Sequence, residues 1–178
     1  EKTKMNFYFA KAIDHDGGDY GVAILSKYPI RNAQKHLLPN EPGSNAEQRV
    51  LAIAAVSLPN GKEILFASTH LDHKKESPSR ILQVKEIVRL MGAEMRPIIL
   101  AGDLNDTPTS ETVQMLKPLF TNSCTTCPFT IPQVAANRTI DYILFSTNSQ
   151  WQAREHKALQ ETFASDHLPI VATLQITK

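Results

Sequence analysis

The sequence predicts an α/β layered domain. Three observations carry this: short apolar runs of strand length recur along the chain, an Asn60-Gly61 pair carries a hairpin signal between two of them, and helical segments are inserted between strands. Hairpin-type connections outnumber helical crossovers, so a doubly wound parallel sheet fits less well.

Asn6–Ala10 (NFYFA) alternates weakly and reads as a strand, and Asp14–Asp19 is a turn cluster. Tyr20–Ser26 (YGVAILS) is a strand that stops at Lys27-Tyr28-Pro29. The span 31–45 is polar and contains proline, so it is expected to be a loop. Gln48–Leu58 (QRVLAIAAVSL) is a long strand, and Glu63–Thr69 (EILFAST) is its return partner, ending at His70. Pro78–Met95 is the clearest helix, because Ile81, Val84, Val88, Met91 and Met95 recur at spacings of three and four. Ser77 reads as its N-cap, with Pro78 at the first helical position. Pro97–Ala101 is a continuous apolar run, read as a strand buried on both faces. Thr107-Pro108 repeats the cap-and-proline signal and opens a short helix to about Leu116. The span 120–137 is expected to be a loop, followed by strands at Thr139–Phe145, Trp151–Leu159 and Leu168–Ile176.

The totals bound the function. The 178 residues favour one domain with a real core, 42% of them hydrophobic and 21% charged. No apolar run is long enough to span a bilayer. Lys and Arg number 19 against 18 Asp and Glu, a balance that makes no electrostatic case for duplex DNA. Lys74-Lys75 reads as a solvated loop. Cys124 and Cys127 stand as C-T-T-C without the second pair a zinc ribbon needs, so they are loop cysteines, free or locally bridged. The first residue is Glu1 and no signal peptide is visible, so the chain is expected to be cut from something longer, and its compartment stays open.

Polar residues cluster where strands end. His70 closes one strand, Asp103 and Asn105 follow another through Gly102, and Asp166-His167 precede the last. Asp141 is the sole charge within Ile140–Phe145, and a carboxylate there needs a partner. Any one of these is a plain turn or cap in most proteins. Together they hold two His, three Asp and one Asn, which suits phosphoryl chemistry with a hard divalent ion. A zinc hydrolase built on His70, Asp103 and His167 lacks closely spaced histidine ligands.

Ser68-Thr-His-Leu-Asp72, Leu100-Ala-Gly-Asp-Leu-Asn105, Thr139-Ile-Asp-Tyr-Ile143 and Ser165-Asp-His-Leu-Pro169 occur in this order. The set resembles the later motifs of the endonuclease/exonuclease/phosphatase superfamily of deoxyribonuclease-I-like phosphoesterases. Gly18–Ile30 is similar to that family's strand ahead of a Ser-Arg/Lys-x-Pro turn. The resemblance implies a four-layer α/β sandwich, two packed mixed sheets with outer helices, filling residues 1–178 as a single domain. It implies a divalent-metal-dependent phosphoester hydrolase: a phosphodiesterase, nuclease or phosphatase. By the same resemblance His70 contacts the scissile phosphate and Asp103 activates water. Asn105 holds phosphate and water, Asp141 partners His167, and His167 stabilises phosphate charge. Asp166 binds metal and Arg49 lies near the phosphate. Arg80 and Gln83 match helix positions where packing is the expected role.

The family's domain begins with a strand bearing Asn and a later strand ending in Gln-Glu, whose Glu is a principal metal ligand. Neither motif is present here, so the sandwich is expected to be incomplete at its N-terminus. Mg²⁺, with Mn²⁺ or Ca²⁺ as alternatives, is then expected to bind weakly. A further chain segment or an oligomer partner is expected to complete the sheet. The alternative from another class is a catalytically incomplete or non-catalytic domain that binds a phosphorylated ligand or partner. The substrate is a phosphoester of open type.

Overall fold

A computed structural model describes residues 3–176. The elements are β1 (Asn6–His15), β2 (Gly18–Ser26), β3 (Ile30–Leu38), β4 (Arg49–Ser57), β5 (Glu63–His70), α1 (Pro78–Met91), β6 (Ile98–Asp103), α2 (Glu111–Gln114), β7 (Phe120–Asn122), β8 (Asp141–Ser146), β9 (Trp151–Ala158) and β10 (Ile170–Ile176).

Alternation along β4 explains the layering. Leu51 and Ala55 join the cluster under α1, whereas Val50, Ala52 and Ala54 pack with Ala10 and Ile24 of the β1–β2 hairpin. One strand thus feeds two cores, as period-two side chains require when both faces are covered. The small alanines let the hairpin approach closely. A six-stranded sheet runs in the order β3-β4-β5-β6-β8-β7. It is mixed, because β5 and β6 are parallel while their other neighbours are antiparallel. α1 is the crossover between β5 and β6. On the opposite face lie two separate antiparallel ribbons, β1–β2 and β9–β10. Among the described residues the α/β sandwich is therefore helices, a full sheet, and a second layer made of two ribbons. A largely apolar cleft of about 620 Å³ lies between the central sheet and the β9–β10 ribbon, bordered by Leu58, Phe66, Ile99, Trp151 and Leu174.

Four element expectations are corrected. The expected loop at 31–45 contains β3, which is polar because it is an edge strand with one free side. Its pairing with β4 shifts between Arg31 and Gln34, which hides the alternation further. The long helix stops at Met91, with Gly92 as C-cap, and Met95 is 85% exposed. Beyond the cap, Glu94 takes the backbone N–H and guanidinium of Arg96, a local arrangement that competes with further helix. The buried stripe accordingly runs through Val84, Ile87 and Met91. The second helix starts later than Thr107-Pro108: Ser110 is the cap, accepting from Val113 N–H. The expected 120–137 loop also carries β7, paired with β8. The cysteines are locally bridged, Cys124 to Cys127.

The segment after His70 is fixed by α1. Ser77 Oγ accepts from Arg80 N–H and donates to Asp72. Gln83 Oε1 accepts from Asp72 N–H at 3.0 Å, and its amide donates to Asn40. Arg80, 6% exposed, donates to the carbonyls of Asp72, Lys74 and Lys75. Its Nε lies 3.4 Å from Asp106 Oδ2, an ionic contact without hydrogen-bond alignment. Arg80 and Gln83 therefore tie a loop to a helix, as expected. Arg80→Leu removes the donor to those carbonyls and the cation beside Asp106, which keeps its bonds from Thr107 and Thr112, so urea unfolding should show a loss of about 3 kcal/mol.

Candidate active site

Strand register builds the site. His70 at the end of β5 pairs with Asp103 on β6, and Asp103 pairs with Asp141 on β8. Three titratable residues thus stand in one row across three hydrogen-bonded strands, about 4.8 Å apart from strand to strand. The row depends on Gly102, whose φ is +152°. A Cβ there would lie 1.9 Å from Thr69 O on the neighbouring strand. Gly102→Ala must separate β5 from β6, and circular dichroism melting should show a large fall in Tm.

The side chains converge from this row. His70 Nε2 lies 3.4 Å from Asp103 Oδ2, and its Nδ1 lies 3.0 Å from the Tyr20 hydroxyl. Asp103 Oδ1 accepts the backbone N–H of Asn105 at 2.7 Å. Asn105 sits at φ +51°, and its amide donates to Leu71 O at 2.9 Å, so the turn after β6 is locked to the segment after β5. His167 Nδ1 donates to Asp141 Oδ2 at 2.9 Å. Ligand atoms of Asp103, Asp141 and His167 all lie within 4.8 Å of one another. His70, Asp103, Asn105, Asp141 and His167 therefore share one place. The Asp166 carboxylate is exposed and lies outside the Asp103–Asp141–His167 cluster, while its carbonyl accepts from Gln133 N–H.

Arg49 lies behind His70 and is only 3% exposed. Its guanidinium contacts His73 Nδ1 and Glu47 Oε2, each at 3.1 Å, and stands 5.9 Å from the Tyr20 ring centre. Tyr20, Glu47 and His73 were not singled out from the sequence. The close repeat of His70 and His73 in T-H-L-D-H is the one signal that points to the last. Tyr20 comes to the site through tertiary contact alone, whereas Glu47 stands two residues before Arg49.

Burial sets the electrostatics. It pushes the His70 imidazole down to about 4, with Arg49 adding to the effect. The 3.4 Å approach to Asp103 therefore involves a neutral ring near neutral pH and is not an ion pair. Burial also pushes the Asp103 carboxyl up to about 6, opposed by the Asn105 N–H and reinforced by Asp141. Two adjacent carboxylates in a partly buried row call for a proton or a cation between them. Hard carboxylate oxygens are the ligand type a hard divalent cation takes.

These two shifts act in opposite directions on stability. For His70 the unfolded chain binds more protons between about 4 and 6.5, so stability is complete above that window and is lost as pH falls through it. For Asp103 the folded chain binds more protons between 3.8 and about 6, so stability is lost as pH rises through that window. In chelator-treated protein, urea unfolding of His70→Gln should show relative stabilisation as pH falls from 6 to 4. Asp103→Asn should show the reverse.

Residues 3–167 match the model of the Endonuclease/Exonuclease/phosphatase family. The chain is 34% identical over 87 residues to Protein cwh43 of Schizosaccharomyces pombe, a match spanning 49% of this chain and 8% of that protein. Among solved structures, a mannosyl-6-phosphatase of Bacteroides thetaiotaomicron superposes with a TM-score of 0.78 at 20% identity, covering 96% of this chain and 77% of its own. The human nocturnin catalytic domain, solved with bound sulfate, gives 0.78 at 19% identity, covering 99% and 73%. Both share the α/β sandwich fold. With the family match running through the strand row and on to His167, the chain belongs to the endonuclease/exonuclease/phosphatase family.

Proposed function

We propose that the protein containing this chain is a divalent-metal-dependent phosphoester hydrolase and that this row of residues is its reaction centre. The observation that carries the reading is the convergence of Asp103, Asp141 and His167 within 4.8 Å, with His70 touching Asp103. Asp103 takes a proton from the attacking water. In the metal-free site burial raises its proton affinity, to about 6. Asn105, its turn pinned by Leu71 O, orients water and a phosphate oxygen. Asp141 holds the His167 ring, so that its other nitrogen meets the charge developing on the phosphoryl group. His70 binds the phosphate from the opposite side of Asp103. The Asp103 and Asp141 carboxylates would hold a hard ion such as Mg²⁺, without Asp166, whose carboxylate lies outside the cluster. When bound, that ion supplies positive charge to phosphate oxygens.

Asp103→Asn and His167→Ala should each lower Mg²⁺-dependent hydrolysis of bis-p-nitrophenyl phosphate by about 10²–10⁴-fold. Chelation should abolish it and Mg²⁺ should restore it, with calorimetry reporting the ion directly. Full turnover in either variant removes the assigned roles. Phosphate binding without turnover in the full-length protein leaves the non-catalytic reading in its place.

A further inference from the structure

The Asp141–His167 contact joins two segments that no strand register aligns. Asp141 opens β8 in the six-stranded sheet, and His167 precedes β10 in a separate ribbon. Their side chains meet at 2.9 Å while both stay partly exposed. One hydrogen bond at that exposure is too weak to order two independent segments, since fixing a single residue's backbone costs as much. We propose that Thr130 is the positioning residue for this pair, a staple that bonds to a chain neighbour of each member. The inference rests on the proposed hydrolase, in which His167 meets the phosphoryl charge, and adds the residue that aims it.

Thr130 is fully buried in the segment between β7 and β8. Its Oγ1 accepts the N–H of Ile140, the residue before Asp141, at 3.3 Å. Its carbonyl accepts the N–H of Leu168, the residue after His167, at 2.7 Å. Its own N–H donates to Arg138 O at 2.7 Å and closes the loop on itself. A threonine serving only its loop would bond within it; two of these three bonds go to the segments that carry the pair. Further bonds stiffen the staple. Thr139 Oγ1 donates to Pro128 O at 2.8 Å, and Gln133 N–H donates to Asp166 O at 2.8 Å. The loop therefore grips the backbone on both sides of His167. The Ile140 carbonyl accepts from Leu104 N–H at 2.8 Å, and Leu104 stands between Asp103 and Asn105. A connected path thus runs from the His167 segment through Thr130 and Ile140 to the turn after β6. Ile140 and Leu168 are both buried, so their N–H groups have little water to replace Thr130. The hydroxyl is the part a substitution can remove. Valine keeps the branched shape but leaves Ile140 N–H unpaired, and serine keeps the acceptor.

The experiment uses the full-length protein and reads the pair separately from turnover. The proton on His167 Nδ1, held against Asp141, gives a downfield NMR resonance that is assigned by its loss in His167→Ala. Thr130→Val should broaden or remove that resonance, and Thr130→Ser should keep it. Ser146→Ala is the comparison for general damage to the fold. Ser146 Oγ accepts Ile98 N–H at 3.0 Å, the same kind of buried bond at the other end of β8, and its loss should leave the His167 resonance in place. With bis-p-nitrophenyl phosphate and Mg²⁺, Thr130→Val should lower kcat by about 10–100-fold with KM little changed, and serine should recover most of that loss. If circular dichroism shows Thr130→Val unfolded, Gln133→Pro takes its place: it removes the N–H that holds Asp166 O from a half-buried position and should broaden the same resonance. An intact His167 resonance in the folded variant overturns the proposal, as does an equal loss in Ser146→Ala. Absence of the resonance from the unsubstituted protein also overturns it, because there is then no held pair to position. Loss of the resonance on substitution, in a protein that hydrolyses no phosphoester, sinks the hydrolase reading and leaves the staple standing. Hydrolysis with the resonance unmoved by substitution does the opposite.

Discussion

The site depends on one constraint, the close lateral pairing of β5, β6 and β8. Backbone hydrogen bonds hold His70, Asp103 and Asp141 in a single transverse row, and no side chain has to choose that position. Gly102 permits the row because it occupies a backbone conformation and a closeness to Thr69 O that no Cβ tolerates. Everything else attaches to it. Asn105 locks the turn after β6, α1 fixes the segment after β5, and His167 arrives from before β10 to meet Asp141. A rigid platform of this kind holds polar groups at the precision phosphoryl chemistry requires.

The same platform explains how burial and reactivity coexist. The sheet covers one side of the row, and partial desolvation moves Asp103 up and His70 down, in each case toward the neutral form. Neighbouring carboxylates would raise the energy of the free site, and a cation or proton relieves it. His167 adds a hydrogen bond on the open side of Asp141. Arg49 lies behind His70, where its charge is offset by Glu47 and bounded by the Tyr20 ring. The polar groups thus fall into two neighbourhoods, the Asp103–Asp141–His167 row and the ring-lined surroundings of Arg49.

How much could be read in advance varies with the element. β4, β5 and β6 were legible because central strands are apolar runs, and α1 because its stripe and its Ser77 cap are local signals. β3 was illegible for the converse reason: an edge strand meets water and carries polar residues, so Ile30–Leu38 reads as a loop. β7 is short and borrows its pairing from β8. The far end of α1 depended on competition between helix and the Glu94–Arg96 contacts, which no propensity reveals. Of the site, the ordered motifs singled out His70, Asp103, Asn105, Asp141 and His167, and the structure gathers them in one place. Asp166 was named with them, yet its carboxylate faces solvent apart from the cluster.

By itself the sequence determined the strand and helix periods, the Gly102 that allows close approach, and the residue types able to handle a phosphate. Those are local properties: alternation, capping and functional-group chemistry are written residue by residue. Only tertiary structure decided that His70, Asp103 and Asp141 stand abreast, and that Tyr20 reaches His70 from a distant hairpin. Register between strands fixes the first. Packing of the β1–β2 hairpin onto β4 and β5 fixes the second. Both are set by the summed burial of whole elements, so no single stretch of chain contains them.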